Sequence, residues 1–423
     1  MKRAELGIGF IAGRKNVCDI INNYYKKLLE QIEGQANLTF FILYDLEYNG
    51  LEKEDFYNIN PKVYKSGIKV QYIGEEEIQL EKNRIQEKHH LNKKEVDLVI
   101  GHGYGKARNT IMYWALKNNI DYLMFWDDDE YPVACIKDAD TKKLIWKEQC
   151  NIKEHLKNIM NNDITIGYRC GYDAPIPYIE YDNTVTEEDF KDFIDGISNE
   201  VIHWKSIQKK VIEQKGITYA DKLHLEEKPA RTSEWIYGSG ICINLKRIDK
   251  IPAFYNPPNA RGEDTFFSIQ LKDANICKVP IYHFHDGFLQ YKDIMKEKYP
   301  QKLDKIKLGS KDIEKRFFNA SIGWIKYKPL FLYITQKESY RQLIEEAMEK
   351  LQRSIPKMNQ LFKNSDFICL LDTLQSYNEQ VESHYEEYVE TNRVWNLLKE
   401  DIEIEKITRR IQHVQNSNYC TNV

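Results

Sequence analysis
The sequence predicts an α/β protein: a mostly parallel sheet flanked by helices, followed by an α-helical appendage. Three observations lead there. Apolar strand-like runs alternate with helical patterns through the first 135 residues. Those runs are apolar on both faces, as strands covered on both sides must be. After about residue 300 the strand pattern ceases and only helical spacing remains.

The elements follow in order. "ELGIGFIA" reads as a first strand, and "CDIINNYYKKLLEQIEG" as a helix with a Gly stop. "NLTFFILYD" and "KVQYIG" are the next two strands, and "EVDLVIGHGYG" is expected to be a strand with a Gly-rich turn. "KARNTIMYWALKNN" is a helix with Ile111, Trp114 and Ala115 on its buried side, and it leads into the strand "YLMFWDDD". Residues 150 to 230 read as an insertion. Within it, "TVTEEDFKDFIDGI" is capped by Thr186 with Asp189 three residues on, and "NEVIHWKSIQKKVIEQKG" is an amphipathic helix stopped by Gly216. "EWIYGSGICINLKRI" and "NICKVPIYHFHDG" resume the sheet. Residues 1 to 300 thus form one domain and 301 to 423 a helical region. In that region Leu343, Ile344, Ala347, Met348 and Leu351 make one stripe, suited to packing or to homo-oligomer formation.

Bulk properties exclude several classes. Across 423 residues the net charge is only -4, so no basic surplus exists to neutralise nucleic-acid phosphates. No window approaches the ~18 consecutive apolar residues of a membrane span. The eight cysteines are scattered and form no CxxC pair, which favours reduced thiols and a cytoplasmic protein over a zinc site or a disulfide scaffold.

One stretch demands a chemical explanation. "NIDYLMFWDDDEYP" runs from apolar residues into Asp127, Asp128, Asp129 and Glu130. Clustered carboxylates repel and need a cation or a proton to share. In an extended chain Asp127 and Asp129 point the same way, a D-x-D pair able to hold Mg2+ or Mn2+. Mg2+ commonly completes its shell with substrate phosphates, so a diphosphate-bearing substrate fits. A solvated acidic turn, a calcium loop and a phosphatase-type nucleophile are the competing readings. The strand is too apolar for the first, no DxDxDG run supports the second, and Glu130 stands where the third wants a small residue.

"GYGKARNTIMYWALKNNIDYLMFWDDDE" resembles nucleotide-sugar-dependent glycosyltransferases of the GT-A (Rossmann-like) fold, especially the inverting family 2. The carrying elements are Ala107-Arg108-Asn109 ahead of the acids, Glu263 and Asp264 of "NARGEDTFFSIQL", and His283 and His285 of "YHFHDG". The resemblance spans roughly residues 5 to 290. It implies a metal-dependent enzyme that moves a sugar from a nucleoside diphosphate sugar to a saccharide, protein or small-molecule acceptor. Asp264 would be the general base, and Glu263 would bind hydroxyls. Asp127, Asp129 and one of His285 and His283 would hold Mn2+ or Mg2+. Arg108, Asn109, Asp127 and Asp45 would bind the donor's nucleotide, with Tyr237, Gly238 and Gly240 of "YGSG" against its sugar. Trp235 and Tyr237 would stack on sugar rings. The first two strands end in "FIAGRKN" and "LYDLEYNG" rather than the family's usual nucleotide-binding turns, so the base is not read. Two rivals stay open: a sugar-phosphate nucleotidyltransferase, for which "AGRKN" is a poor phosphate loop, and a non-catalytic glycan-binding or scaffold protein.

Overall fold
The computed structural model describes residues 3–47, 50–172, 174–198, 203–208, 216–232 and 235–420, with side chains through 408. Its strands are β1 (Ala4–Ala12), β2 (Ala36–Tyr44), β3 (Lys69–Ile73), β4 (Tyr122–Phe125), β5 (Glu130–Tyr131), β6 (Val133–Lys137), β7 (Leu144–Glu148), β8 (Ile164–Gly171), β9 (Ala230–Arg231), β10 (Ile241–Asn244) and β11 (Ile276–His285). The main sheet runs β3-β2-β1-β4-β10-β8-β11-β5, with β9 beside β11, and β6 pairs with β7 in a separate ribbon.

The sheet is mixed, where a mostly parallel one is expected. β1, β2, β3 and β4 are mutually parallel, but β10 lies antiparallel between β4 and β8. The reason is connectivity. β8 ends and β10 begins at the same end of the sheet, so the long segment between them needs no crossover helix. Part of it, with Tyr237 and Gly238, lies over the carboxyl ends of β1 and β4, where α/β sheets bind ligands, while β9 within it pairs with Cys277 and Lys278 near the start of β11.

Three local expectations are corrected. The apolar run of "EVDLVIG" is a helix, Lys93–Val99, because Asn92 and Glu95 form a reciprocal capping box at its start. A short apolar run does not by itself distinguish strand from buried helix. The presumed insertion, 150 to 230, contributes β8, an interior strand flanked by β10 and β11. The helical pattern "KESYRQLIEEAMEKLQRSI", which carries the Leu343–Leu351 stripe, is expected to end at Ile355, but its helix continues through Pro356 to Phe362, where Met358 and Phe362 are buried. The box of Thr186 and Asp189 is present and starts the helix Glu187–Ile197. The helix expected over 199 to 216 lies mostly outside the described residues. Trp204–Ile207 within it is helical.

Two apolar clusters sandwich the sheet, and a third joins the helix Glu187–Ile197 to the tail. The tail is integral to the fold. Phe190, Phe193, Ile194 and Ile197 pack with Phe317, Ala347 and Leu351. On the last helix, Val381–Cys420, the residues Val394, Trp395, Leu398 and Ile402 join the sheet's own cluster. Trp395 donates its indole N–H to the Ile251 carbonyl, and Lys399 Nζ donates to the Ile248 and Ile251 carbonyls. Trp395→Ala removes a fully buried side chain and a hydrogen bond, so we expect a loss of about 3–5 kcal/mol in urea unfolding. For the same reason a chain ending at residue 300 should not yield folded protein, as checked by its circular dichroism melt. No helix among the described residues is long and apolar enough to cross a membrane.

Candidate active site
A cleft of about 490 Å³ opens over the carboxyl ends of β1 and β4. Its floor is Ala12, Gly13 and Arg14 after β1 and Asp127, Asp128 and Asp129 after β4. One wall is Arg108 with Tyr237 and Gly238, and another is Gly262, Glu263 and Asp264. Of the residues expected at the site, Asp45, Arg108, Asp127, Asp129, Tyr237, Gly238, Glu263, Asp264 and His285 line this cleft. So does Trp235.

The acids are arranged by a turn, not by strand alternation. β4 ends at Phe125, and Asp128 and Asp129 occupy the turn before β5. Arg14 Nη1 therefore reaches both, 3.0 Å from Asp128 Oδ1 and 2.9 Å from Asp129 Oδ2. Asp127 faces elsewhere, 3.5 Å from Arg108 Nη2 and 3.9 Å from Arg169 Nη2. Burial raises the Asp127 pKa against the pull of Arg108. Burial likewise pushes Asp128 up to about 8 despite Arg14. Burial also acts on Asp129, but His285 and Arg14 outweigh it and hold its carboxyl below the usual range.

Arg108 ties the acids of the floor to the Glu263–Asp264 wall. Its guanidinium lies 5.1 Å from the Phe125 ring centroid and 5.8 Å from that of Phe254, and its Nε is 3.7 Å from Glu263 Oε1. Its Nε and Nη1 are buried without a hydrogen-bond partner. Gly238 makes room for it, since a Cβ there would sit 2.5 Å from Arg108 Nη2. Glu263 and Asp264 open the helix Glu263–Ser268 behind Gly262, whose φ of 99° places it in the left-handed region. The ring of Tyr327, from the tail helix Lys311–Thr335, closes over Gly262 at 2.9 Å from the position of a Cβ. The tail thus braces the Glu263–Asp264 turn. Burial and the neighbouring Asp264 carboxylate push Glu263 up to about 7. Burial also raises Asp264, against Arg108 and the Thr265 N–H that donates to it at 2.9 Å.

Three expected residues lie elsewhere. Asn109 is fully buried and exchanges two hydrogen bonds of 2.8 Å with the Phe254 backbone, so it anchors the loop behind Arg108. His283 sits two residues, roughly 7 Å, back along β11 from the cleft. There it packs against Trp126 and Asn151, and burial lowers its pKa. Gly240 faces the His283 ring, not the cleft.

His285 ends β11 at the acids. Its Nδ1 meets the Tyr172 carbonyl, which only accepts, so Nδ1 carries a hydrogen and donates it. Its Nε2 faces Asp129 Oδ1 at 3.7 Å. Asp128 Oδ2 beside them is buried without a hydrogen-bond partner. These groups fit a divalent cation: a histidine oriented by a backbone acceptor, a carboxylate facing it, and a neighbouring carboxylate under-compensated. Among the described residues no group of three or more His, Cys, Asp or Glu forms a ready cage. A cation here would need further ligands from a substrate.

Sequence reasoning missed Arg14, Arg169 and Glu130 as site residues. Glu130 is fully buried and accepts from Arg169 Nε at 2.9 Å, Arg169 Nη2 at 2.6 Å and Ser239 Oγ at 2.7 Å. Their partners are 39 and 109 positions away, so no local pattern announces them. Arg14 had one signal, a cation in the turn directly after the first strand.

No family model matches the chain, and no curated protein matches it in sequence. Among solved structures it is similar to residues 1–349 of TarS from S. aureus, at 11% identity over 90% of this chain and 92% of that one, with a TM-score of 0.34. It is also similar to the mannosyltransferase Ktr4p from S. cerevisiae, at 10% identity over 64% of this chain and 61% of that one, with a TM-score of 0.24. Both scores are too low for either likeness to assign an activity to this chain.

Proposed function
We propose that the protein is an inverting glycosyltransferase that moves a sugar from a nucleoside diphosphate sugar to an acceptor hydroxyl, with a divalent cation at Asp129 and His285, beside Asp128. The observation that carries this reading is one cleft with two acidic walls, Asp127 to Asp129 on the sheet and Glu263 with Asp264 on a helix, spanned by Arg108. Inverting transfer needs that pairing. The leaving diphosphate departs from one face of the sugar, and the acceptor's base stands at the other. The bound cation supplies charge neutralisation on the leaving group. Arg108, with two unpartnered buried donors, is placed to hold an anion between the walls. Asp264 takes the acceptor's proton. It is the less buried of its pair, and burial raises its pKa above an exposed aspartate's. Glu263 orients hydroxyls beside it. Tyr237 and Trp235 offer ring faces to sugars. The cytoplasm remains our proposed location.

The test is a thermal-shift panel of nucleoside diphosphates, each with Mn2+ or with chelator. Stabilisation by one of them that requires Mn2+ is expected, and none with any nucleotide would end the reading. Gly238→Ala is a second probe. Its Cβ displaces Arg108, and misplacement by about 1 Å can cost about a hundredfold in rate. We expect a fall of about that size in kcat/KM with an unchanged melting temperature.

A further inference from the structure
Arg14 occupies a place that the proposed function gives to a cation. A single nitrogen, Nη1, bridges Asp128 Oδ1 at 3.0 Å and Asp129 Oδ2 at 2.9 Å. The other oxygen of Asp129 faces His285 Nε2. The positive charge that these acids require is therefore supplied by the protein itself. An arginine does not leave by losing its proton, so it leaves only by moving. Its side chain is 32% exposed, while those of Asp128 and Asp129 are 9% and 10% exposed, so the arginine is the mobile partner. It stands on the turn after β1 and lines the same cleft.

We propose that Arg14 is a resident counter-ion that competes with the divalent cation for Asp128 and Asp129, and that on displacement it becomes a ligand of the donor's diphosphate. This rests on the glycosyltransferase reading for the identity of the anion. The exchange couples the two ligands. A cation alone must expel Arg14 from both carboxylates into a cleft that already holds Arg108 and Arg169. A cation arriving with a diphosphate gives Arg14 a new partner. Metal binding without donor is thereby weak, and donor strengthens it. No bond is made or broken in the exchange.

Calorimetric titration of Mn2+ into wild type, Arg14→Gln and Arg14→Lys tests this, in buffer alone, with inorganic pyrophosphate and with UDP. In buffer alone we expect Arg14→Gln to bind Mn2+ about tenfold more tightly than wild type, within the usual range for two coupled sites. Arg14→Lys, which keeps the charge, should stay close to wild type. With pyrophosphate the gain of Arg14→Gln should vanish, so the Mn2+–pyrophosphate coupling falls about tenfold. If Arg14→Gln melts too early for titration, its thermal shift on adding Mn2+ reads the same quantity and should exceed that of wild type. Mn2+ affinity in buffer alone that is equal to or weaker than wild type would overturn the proposal, as would undetectable binding to all three proteins. Tighter Mn2+ binding with coupling to pyrophosphate but to none of the nucleoside diphosphates of the thermal-shift panel would support the exchange while overturning the nucleotide-sugar reading.

Discussion

Asp264→Asn is expected to lower kcat by about 10²–10⁴, the usual worth of a positioned general base. Asparagine keeps the size of the side chain and an oxygen to accept the Thr265 N–H. It cannot take a proton. Nucleotide affinity, measured calorimetrically with Mn2+, should be nearly unchanged, because a base acts on the transition state and not on uniform binding. The product from an α-linked donor should be β-linked by proton NMR. The pH profile carries a further signature. Burial raises Asp264, and Glu263 beside it is pushed up to about 7, so the acidic limb of kcat should lie above the ordinary carboxylate range. The sign is that activity rises with pH as the pair loses protons. The pair titrates together, so the limb belongs to both residues. Near wild-type turnover in Asp264→Asn, or an α product, would remove Asp264 from this role and turn attention to Glu263.

Asp129→Ala is expected to abolish the dependence of nucleotide binding on Mn2+. It removes the carboxylate that faces both His285 and Arg14. A Lewis acid at a leaving diphosphate is worth several kcal/mol, so activity should fall by roughly 10²-fold or more. Arg14 retains Asp128 as a partner at 3.0 Å, so the variant should fold, with a melting temperature near that of wild type. His285→Gln should act in the same direction by roughly 10- to 100-fold, as changes at metal-orienting groups do. His283→Gln is the contrasting case. That ring lies under the sheet against Trp126 and Asn151, so its loss should lower the melting temperature and leave Mn2+ affinity alone. Equal nucleotide affinity with Mn2+ and with chelator, in both wild type and Asp129→Ala, would refute a cation at this site.

Local patterns determined a good deal. Alternating strand and helix signals announce an α/β chain because strand and helix place apolar residues at different periods. The capping box at Thr186 was legible because it is complete within four residues. The acids at the end of β4 stood out because an apolar strand ending in like charges demands a counter-charge. Only the tertiary structure decided the rest, and distance along the chain is the common reason. The direction of β10 depends on where a long connection returns, not on the four residues of the strand. The tail became part of the core through Trp395 and Tyr327, whose partners Ile251 and Gly262 lie 144 and 65 positions earlier in the chain. "EVDLVIG" became helix through a cap outside its apolar run. At the site, the sequence named the acids but not their facing. The turn at Asp128 and Asp129 replaced the alternation of an extended strand and delivered both to Arg14, more than a hundred residues away. His283 and His285 are alike by local pattern. β11 alone separates them, because a strand's end reaches the cleft while two residues inward the same face is already covered by core.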